Sequence, residues 1–568
     1  MRKLRKPGLG VRELKIALVL FLIAFGVRYY FKSAGLWHTD SVIGARAAED
    51  TLATGRLHYL QGELGYPGEA VLMTLTYAVF KLLGATSAES AVLFAGVLFG
   101  ALCIPAAYLL ARRLFNSDYA GIYAGLILTF LPVHLSLSTY GKGHGMELFF
   151  LLLSAYVVLE AGERKSLRLL ALASCLLGFT MAIRQTSALL FPAFILLYAH
   201  GSMPVEVKKS RKKTKIMLSK TYGELLREIL VLAVPAFIVF TLFFVPKMMD
   251  DPSFSLPGKM RSVGSETNRG FGLFTPNLTK SLDWATFSLT WIGWVLFLGG
   301  LYYLWVEDRH LCAALSLWFL AFFMYLGNLI STSPRFVIPA LAVPVVMMSY
   351  SLDRIRLRYK DAAAGIVLFI LVSLMMYNIY PIVEYRRSYC GPCEFAKRIR
   401  EVTGEDSLII AMDESQHYEY YARRNSTGHP SGNDLIYPDK IKAHLDYLEG
   451  VLRHGTSVYA TTQGLGYDIL IEDFLAYSKE DMMLKNTQTG KVYSNLRFDI
   501  SRGELYDLRT KAVLPLTGMY GLELYDRFDV TPVFSMENED WHHKGIERGV
   551  YRAVLYNISL REVPDEVS

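Results

Sequence analysis

The sequence predicts a polytopic α-helical membrane protein that carries a separate α/β domain at its C-terminal end. Three observations lead there. The 568 residues are 52% hydrophobic and only 20% charged, and the charges gather in clusters. Between the clusters lie apolar runs of roughly 17–23 residues, the length that crosses ~30 Å of hydrocarbon at about 1.5 Å per helical residue. From about residue 385 onward the chain becomes mixed in polarity, rich in Tyr and Asp, with frequent turn signals.

About eleven runs have spanning character: 14–31, 88–110, 118–136, 146–161, 167–183, 187–200, 228–246, 284–304, 310–330, 335–351 and 362–381. The first, "LKIALVLFLIAFGVRYYF", has no small-residue cleavage site and reads as a retained span. With "MRKLRK" in the cytoplasm, alternate loops collect Arg112 and Arg113, Arg164, Lys165 and Arg168, the cluster "KKSRKKTK" at 208–215, Arg309, and Arg354, Arg356, Arg358 and Lys360. That is the positive-inside distribution. Counting 68–84, "GEAVLMTLTYAVFKLLG", as a further span would reverse it, so this stretch is expected to lie along the outer interface.

This topology divides the chain into a membrane domain, 1–384, with external loops at 32–87 and 247–283, and an extracytoplasmic α/β domain, 385–568. The sequons at Asn277, Asn425 and Asn557 all fall outside. In the tail, "DSLIIAMDE" reads as a buried strand and "GVYRAVLYNI" as a late one. The size suits an independent core.

The formal charge of +7 does not imply nucleic acid, because the basic clusters lie between hydrophobic runs. Membrane lipids are the expected surroundings. Of the five cysteines, Cys103, Cys175 and Cys312 fall inside apolar runs and read as small buried hydrophobes.

The spans themselves contain few ionisable residues. Arg28, Arg184 and Arg335 stand near external ends, where convergence on one face would suit a lipid-linked anion. The plainer reading of each alone is snorkelling to the interface.

The first external loop runs "AGLWHTDSVIGARAAEDTLATGRLHYLQGELGYPGEA", with an acid just past the first span. Later come "LLGFTMAIRQTSALLFPAF" and "STSPRFVIPALAVPVVMM". At these residues the chain resembles integral-membrane glycosyltransferases of the GT-C fold, in particular the protein O-mannosyltransferase and aminoarabinose (lipid A) transferase group, over roughly residues 14–350. The resemblance implies a polyprenyl-phosphate-linked sugar as donor and a protein, glycolipid or glycan acceptor at the outer face of the cell membrane. It implies that Asp40, in "HTDS" beside His38, is the general base. Ser41 stands where that family usually has Glu. It points to Glu147, with Lys142 and His144 in "STYGKGHGMEL", as the second acidic element; the alternative for Glu147 is a helix N-terminal acid. Arg335 in "RFVIPA" matches the family's phosphate-binding Arg, and Arg184 joins it as a substrate-binding candidate.

The chemistry implied is displacement at the anomeric carbon with polyprenyl phosphate leaving, which in a single step inverts the centre. A carboxylate in a partly dry pocket, its pKa raised toward neutrality, would take the acceptor proton. A fixed guanidinium fork suits the phosphate. In the loop 247–283, Lys259, Arg261 and Arg269 are candidates to close over the phosphate; a solvated loop is the alternative. Asp40 and Glu147 are candidate ligands for a divalent metal such as Mg, Mn or Zn, and Asp250 with Asp251 form a lone acidic pair. Asp540, Trp541, His542 and His543 gather in "ENEDWHHKG", which reads as a surface loop or as a metal or sugar contact.

Three other functions compete. An oligosaccharyltransferase has the same membrane fold but a Trp-Trp-Asp-Tyr-Gly signature, absent here. A transporter would show repeated halves and a midplane site. A thiol oxidoreductase is raised by "YCGPCEFAK" at 389–397, although no strand of the usual kind precedes it. Cys390 and Cys393 are expected either as a disulfide, in a compartment that favours one, or as a reduced pair without a catalytic role.

Overall fold

The computed structural model describes residues 10–58, 65–202, 207–210, 213–216, 222–251, 253–259, 275–328, 333–412, 414–428, 438–465, 475–477, 483–486, 491–499, 504–509, 513–514, 519–540 and 549–561. By its internal contacts the chain divides into two compact units, one over Met1–Tyr389 and one beginning at Cys390.

The first unit is a helix bundle. Its helices are α1 (Val11–Tyr30), α2 (Thr39–Thr54), α3 (Pro67–Leu82), α4 (Glu89–Phe115), α5 (Asp118–Phe130), α6 (Pro132–Ser138), α7 (His144–Arg164), α8 (Leu167–Ile183), α9 (Phe191–Ser202), α10 (Tyr222–Leu242), α11 (Val245–Asp250), α12 (Thr275–Glu307), α13 (Arg309–Asn328) and α14 (Ile338–Ser388). Each of the eleven apolar runs falls largely on helix. Among the described residues, six helices are long and apolar enough to cross a membrane, seven if the α5–α6 pair, bent by 61°, is one span. Pro132 opens α6 at that bend, where it cannot continue the helix of α5. Two expected spans merge in α14, which breaks at Lys360 with a positive φ of 75°.

Buried small residues explain how the bundle closes. Gly96, Gly100 and Gly145 bring α4 against the loop before α7 and the start of α7 itself. Outward-facing Leu14, Leu18 and Leu22 on α1, and Val234, Phe237 and Ile238 on α10, stay exposed. Such apolar faces suit hydrocarbon rather than water. The helix α3 is too short to cross a bilayer upright. Its start, Pro67–Ala70, is buried, while Leu75, Val79 and Leu82 are exposed. The described residues of the cluster "KKSRKKTK" lie on two paired antiparallel strands, Val207–Ser210 and Lys213–Ile216.

The second unit is α/β. The amphipathic helix Gly391–Val402 buries Phe395, Ala396 and Ile399 against the strand Leu408–Ala411, all of whose residues are buried. That strand pairs in parallel with Asn425–Gly428 and with Val458–Thr461. The long strand Gly549–Leu560 continues the sheet, antiparallel to Val458–Thr461 and to Phe528–Asp540. A second, antiparallel sheet of five short strands spans Leu475–Leu514. Cys390 and Cys393 are joined by a disulfide at the start of the unit's first helix.

Candidate functional site

The site forms where short connections between helices of the first unit meet. After α1 the chain turns inward: the Ser33 N–H donates to the Thr139 carbonyl at 2.9 Å, and the Ala34 N–H to the Arg386 carbonyl at 2.9 Å. Trp37 donates its indole N–H to the Tyr389 carbonyl at 3.0 Å. His38 then caps α2, its Nδ1 accepting the Asp40 N–H at 3.1 Å. These bonds fix Asp40 in the first turn of α2. Ser41 donates to the Tyr140 carbonyl at 3.0 Å and ties α2 to the next connection.

That connection, Thr139–Gly143, carries Lys142. Its path needs glycine twice. Gly141 has φ +81°, and a side chain there would meet Val92 at 2.9 Å; a Cβ on Gly143 would lie 2.1 Å from Glu69. The result is a lysine with no exposed side-chain surface, ion-paired to Asp40 Oδ2. Arg335, in the 3-10 turn Pro334–Val337 before α14, donates from Nη1 to the same oxygen at 3.0 Å and lies 3.3 Å from His38 Nε2. Asp40, His38, Lys142 and Arg335 therefore make one cluster.

Beside it lies a second group. Glu69, at the start of α3, accepts the Gly143 N–H at 3.1 Å and pairs with Arg184 at 2.9 Å. The Arg184 guanidinium stacks 3.7 Å from the centre of the Tyr66 ring. Glu147, in the first turn of α7, accepts from Ser187 at 2.9 Å. His144 Nδ1 is 3.7 Å from Glu147, and the ring is buried with no hydrogen bond to either nitrogen among the described residues.

Burial works against Asp40's charge, but Lys142, His38 and Arg335 together outweigh it and hold the carboxyl well below its ordinary value. This reverses the expectation of a carboxylate raised toward neutrality; a sequence shows no cation distances. Burial and the nearby Arg335 pull the Lys142 ammonium down, opposed by Asp40. Burial also disfavours the charge on Arg184, yet Glu69, Tyr66 and Glu147 more than offset it and raise its pKa.

Several sequence expectations need correction. Arg28 does not converge with Arg184 and Arg335: it is buried among helices, donating to Ser138 at 3.1 Å and lying 2.8 Å from His134 Nδ1. Asp251 Oδ1 accepts from the Ser253 N–H at 2.9 Å and hydroxyl at 2.6 Å, closing a turn. Lys259 lies on the helical stretch 256–259, its charge acting on Asp251. Arg261, Arg269, Trp541, His542 and His543 lie outside the described residues. Among the described residues no group of three or more His, Cys, Asp or Glu is arranged to hold a metal. At Asp40, Lys142 and Arg335 already supply positive charge on the oxygen a metal would use. The residues there do not fit a divalent ion.

Sequence reasoning missed Glu69, Tyr66, Ser187 and Arg386. The Arg386 guanidinium lies 4.8 Å from the Tyr140 ring centre and 5.9 Å from that of Trp37, and donates to Ser136 at 2.8 Å, bracing both connections. For Glu69 a signal existed: it is the one carboxylate of a largely apolar helix, placed just after Pro-Gly.

Comparison with known proteins gives a consistent picture. The family model described as dolichyl-phosphate-mannose-protein mannosyltransferase matches residues 69–222. That segment holds Glu69, Lys142, His144, Glu147 and Arg184 but not Asp40 or Arg335. The archaeal oligosaccharyltransferase AglB from Archaeoglobus fulgidus, solved with an inhibitory peptide and a dolichol-phosphate, is similar at 15% identity and TM-score 0.53, over 80% of this chain and 70% of that one. Its complex with Zn and sulfate gives 15% and 0.54, over 84% and 72%. ArnT from Cupriavidus metallidurans, bound to undecaprenyl phosphate, gives 14% and 0.54, over 79% and 92%. No curated protein matches the chain by sequence. The chain therefore has the GT-C fold of these membrane glycosyltransferases, and its residues 69–222 match the dolichyl-phosphate-mannose-protein mannosyltransferase family model.

Proposed function

We propose that the first unit is a glycosyltransferase that moves a sugar from a polyprenyl-phosphate donor to an acceptor hydroxyl on a protein, glycolipid or glycan. The observation that carries this reading is a single carboxylate, Asp40, gripped by a buried lysine and a partly exposed arginine. The ligands of the similar structures, dolichol-phosphate and undecaprenyl phosphate, support a lipid phosphate as the anion those cations receive. In this reading the N-terminus is cytoplasmic, about eleven runs span the cell membrane, and the site and the second unit face outward.

Asp40 takes the proton of the acceptor hydroxyl. The acceptor oxygen bonds to the anomeric carbon as the bond from that carbon to the phosphate oxygen breaks. The electron pair leaves with the phosphate, which gains one negative charge. Lys142 and Arg335 stabilise that charge where it develops, a contribution worth several kcal/mol when preorganised. Single displacement inverts the anomeric centre. Arg184, paired with Glu69 and stacked on Tyr66, holds the Lys142 connection rather than the phosphate. In this reading His144 and Glu147 serve the sugar.

The test is transfer from a polyprenyl-phosphate sugar by purified Asp40→Asn. The expected result is a folded protein without transfer; retained activity removes Asp40 as the base. A second reading, an oligosaccharyltransferase, rests on the likeness to AglB and to the Archaeoglobus fulgidus oligosaccharyltransferase tethered to an acceptor peptide with an NVT sequon, and takes an asparagine side-chain amide as acceptor. Linkage analysis of the product, to oxygen or to nitrogen, separates the two.

A further inference from the structure

We infer that Lys142 and Arg335 are shared between Asp40 and the donor phosphate, so that arrival of the phosphate releases Asp40 to act as the base. The inference rests on the glycosyltransferase reading above and adds to it an order of events. Donor binding precedes, and creates, a competent base.

The geometry is the starting point. Both cations meet on one oxygen of Asp40, Oδ2. Among the described residues, Asp40 is the only carboxylate bonded to either. Lys142 has no exposed side-chain surface, whereas a quarter of the Arg335 side chain is open. Only Nη1 of that guanidinium is hydrogen-bonded among the described residues, and the group also lies 5.1 Å from the Phe336 ring centre. An entering phosphate thus meets Arg335 first, on N–H groups it can take in pairs, and reaches Lys142 only by competing with Asp40.

Charge conservation gives the exchange its direction. In the transfer step Asp40 loses a negative charge as it accepts the proton, and the leaving phosphate oxygen gains one. The site's total charge does not change. Cations that move from Asp40 to the phosphate follow the charge across the site, and none is left unpaired in a buried place, which would be costly. While both cations remain on Asp40, they hold its carboxyl below its ordinary value, which weakens it as a base. Glu69 and Glu147 lie by Arg184, Ser187 and His144 and do not bond to either shared cation.

The test measures binding of undecaprenyl phosphate to the purified full chain by native mass spectrometry. Asp40→Asn removes the competing carboxylate, and affinity should rise about tenfold, within the range of coupling between contacting charges. In Lys142→Met and Arg335→Gln backgrounds the same change should gain less than about threefold. Unchanged or weaker binding by Asp40→Asn overturns the inference. So does a gain of equal size in all three backgrounds, which would be simple repulsion. If Lys142→Met fails to fold, Arg335→Gln carries the comparison. Failure of the underlying reading is a separate result: transfer activity retained by Asp40→Asn, whatever its affinity.

Discussion

Arg184 and Glu69 form a buried ion pair at 2.9 Å, and the other carboxylate oxygen of Glu69 accepts the Gly143 N–H. The pair thus joins the start of α3 and the end of α8 to the connection that carries Lys142. Removing one member leaves the other charged and buried, a loss of about 3–5 kcal/mol. Glu69→Gln should therefore lower the thermal unfolding temperature and abolish transfer. The double change Glu69→Gln/Arg184→Met removes both charges and should recover much of the stability but not the transfer. A single variant as stable as the wild type would show that the pair does not hold this connection.

The sequence foretold the bundle better than the site. Apolar runs are long, and length alone predicts helix, so each of the eleven lands on one. "HTDS", "GKGH" and "RFVIPA" pointed to residues that the structure brings together as His38, Asp40, Lys142 and Arg335. What escaped was every relation set by distance. Read as an interfacial helix, α3 gave no reason to bury Glu69. Arg28 looked like its fellow arginines near span ends, yet it bonds to Ser138 and His134 between helices. Ser41, where the resembling family usually has Glu, proves to be a tie to the Tyr140 carbonyl.

Gly141 sets the direction of Lys142 through its positive φ. Gly141→Ala combines that strained conformation with a Cβ 2.9 Å from Val92, a cost of about 1–3 kcal/mol. Transfer should fall because Lys142 is the next residue. Gly26→Ala is the control: it lies inside α1, a Cβ there meets nothing within 4 Å, and it should be neutral or stabilising by up to about 1 kcal/mol. Equal losses in both variants would show that backbone conformation at 141 is unimportant.

The acidity of Asp40 predicts a pH signature. Its folded-state pKa lies below the unfolded one, because Lys142, His38 and Arg335 outweigh burial. Stability from a depressed carboxylate is present above the unfolded value of about 3.9 and is lost as pH falls through the folded value. The excess stability of wild type over Asp40→Asn should therefore persist from about pH 6 down to about pH 4 and shrink only below that. Thermal unfolding of both proteins across this range checks it. Tyr140, Arg184 and His144 also lie near Asp40, and they are common to both proteins. A difference that fades already near pH 5 would mean the carboxyl is not held low.

The disulfide Cys390–Cys393 closes a loop with a sequence separation of 3 at the start of the helix Gly391–Val402. So short a loop restricts the unfolded chain by no more than about 2 kcal/mol. The helix owes more of its place to Phe395, Ala396 and Ile399, packed against Ile409 and Ala411. Cys390→Ser/Cys393→Ser should thus keep the second unit folded, lower its unfolding temperature slightly, and leave transfer unaffected with or without reductant. The thiol oxidoreductase reading makes the opposite demand, since a redox site cannot work without its cysteines. Loss of transfer in a folded double variant would bring that reading back.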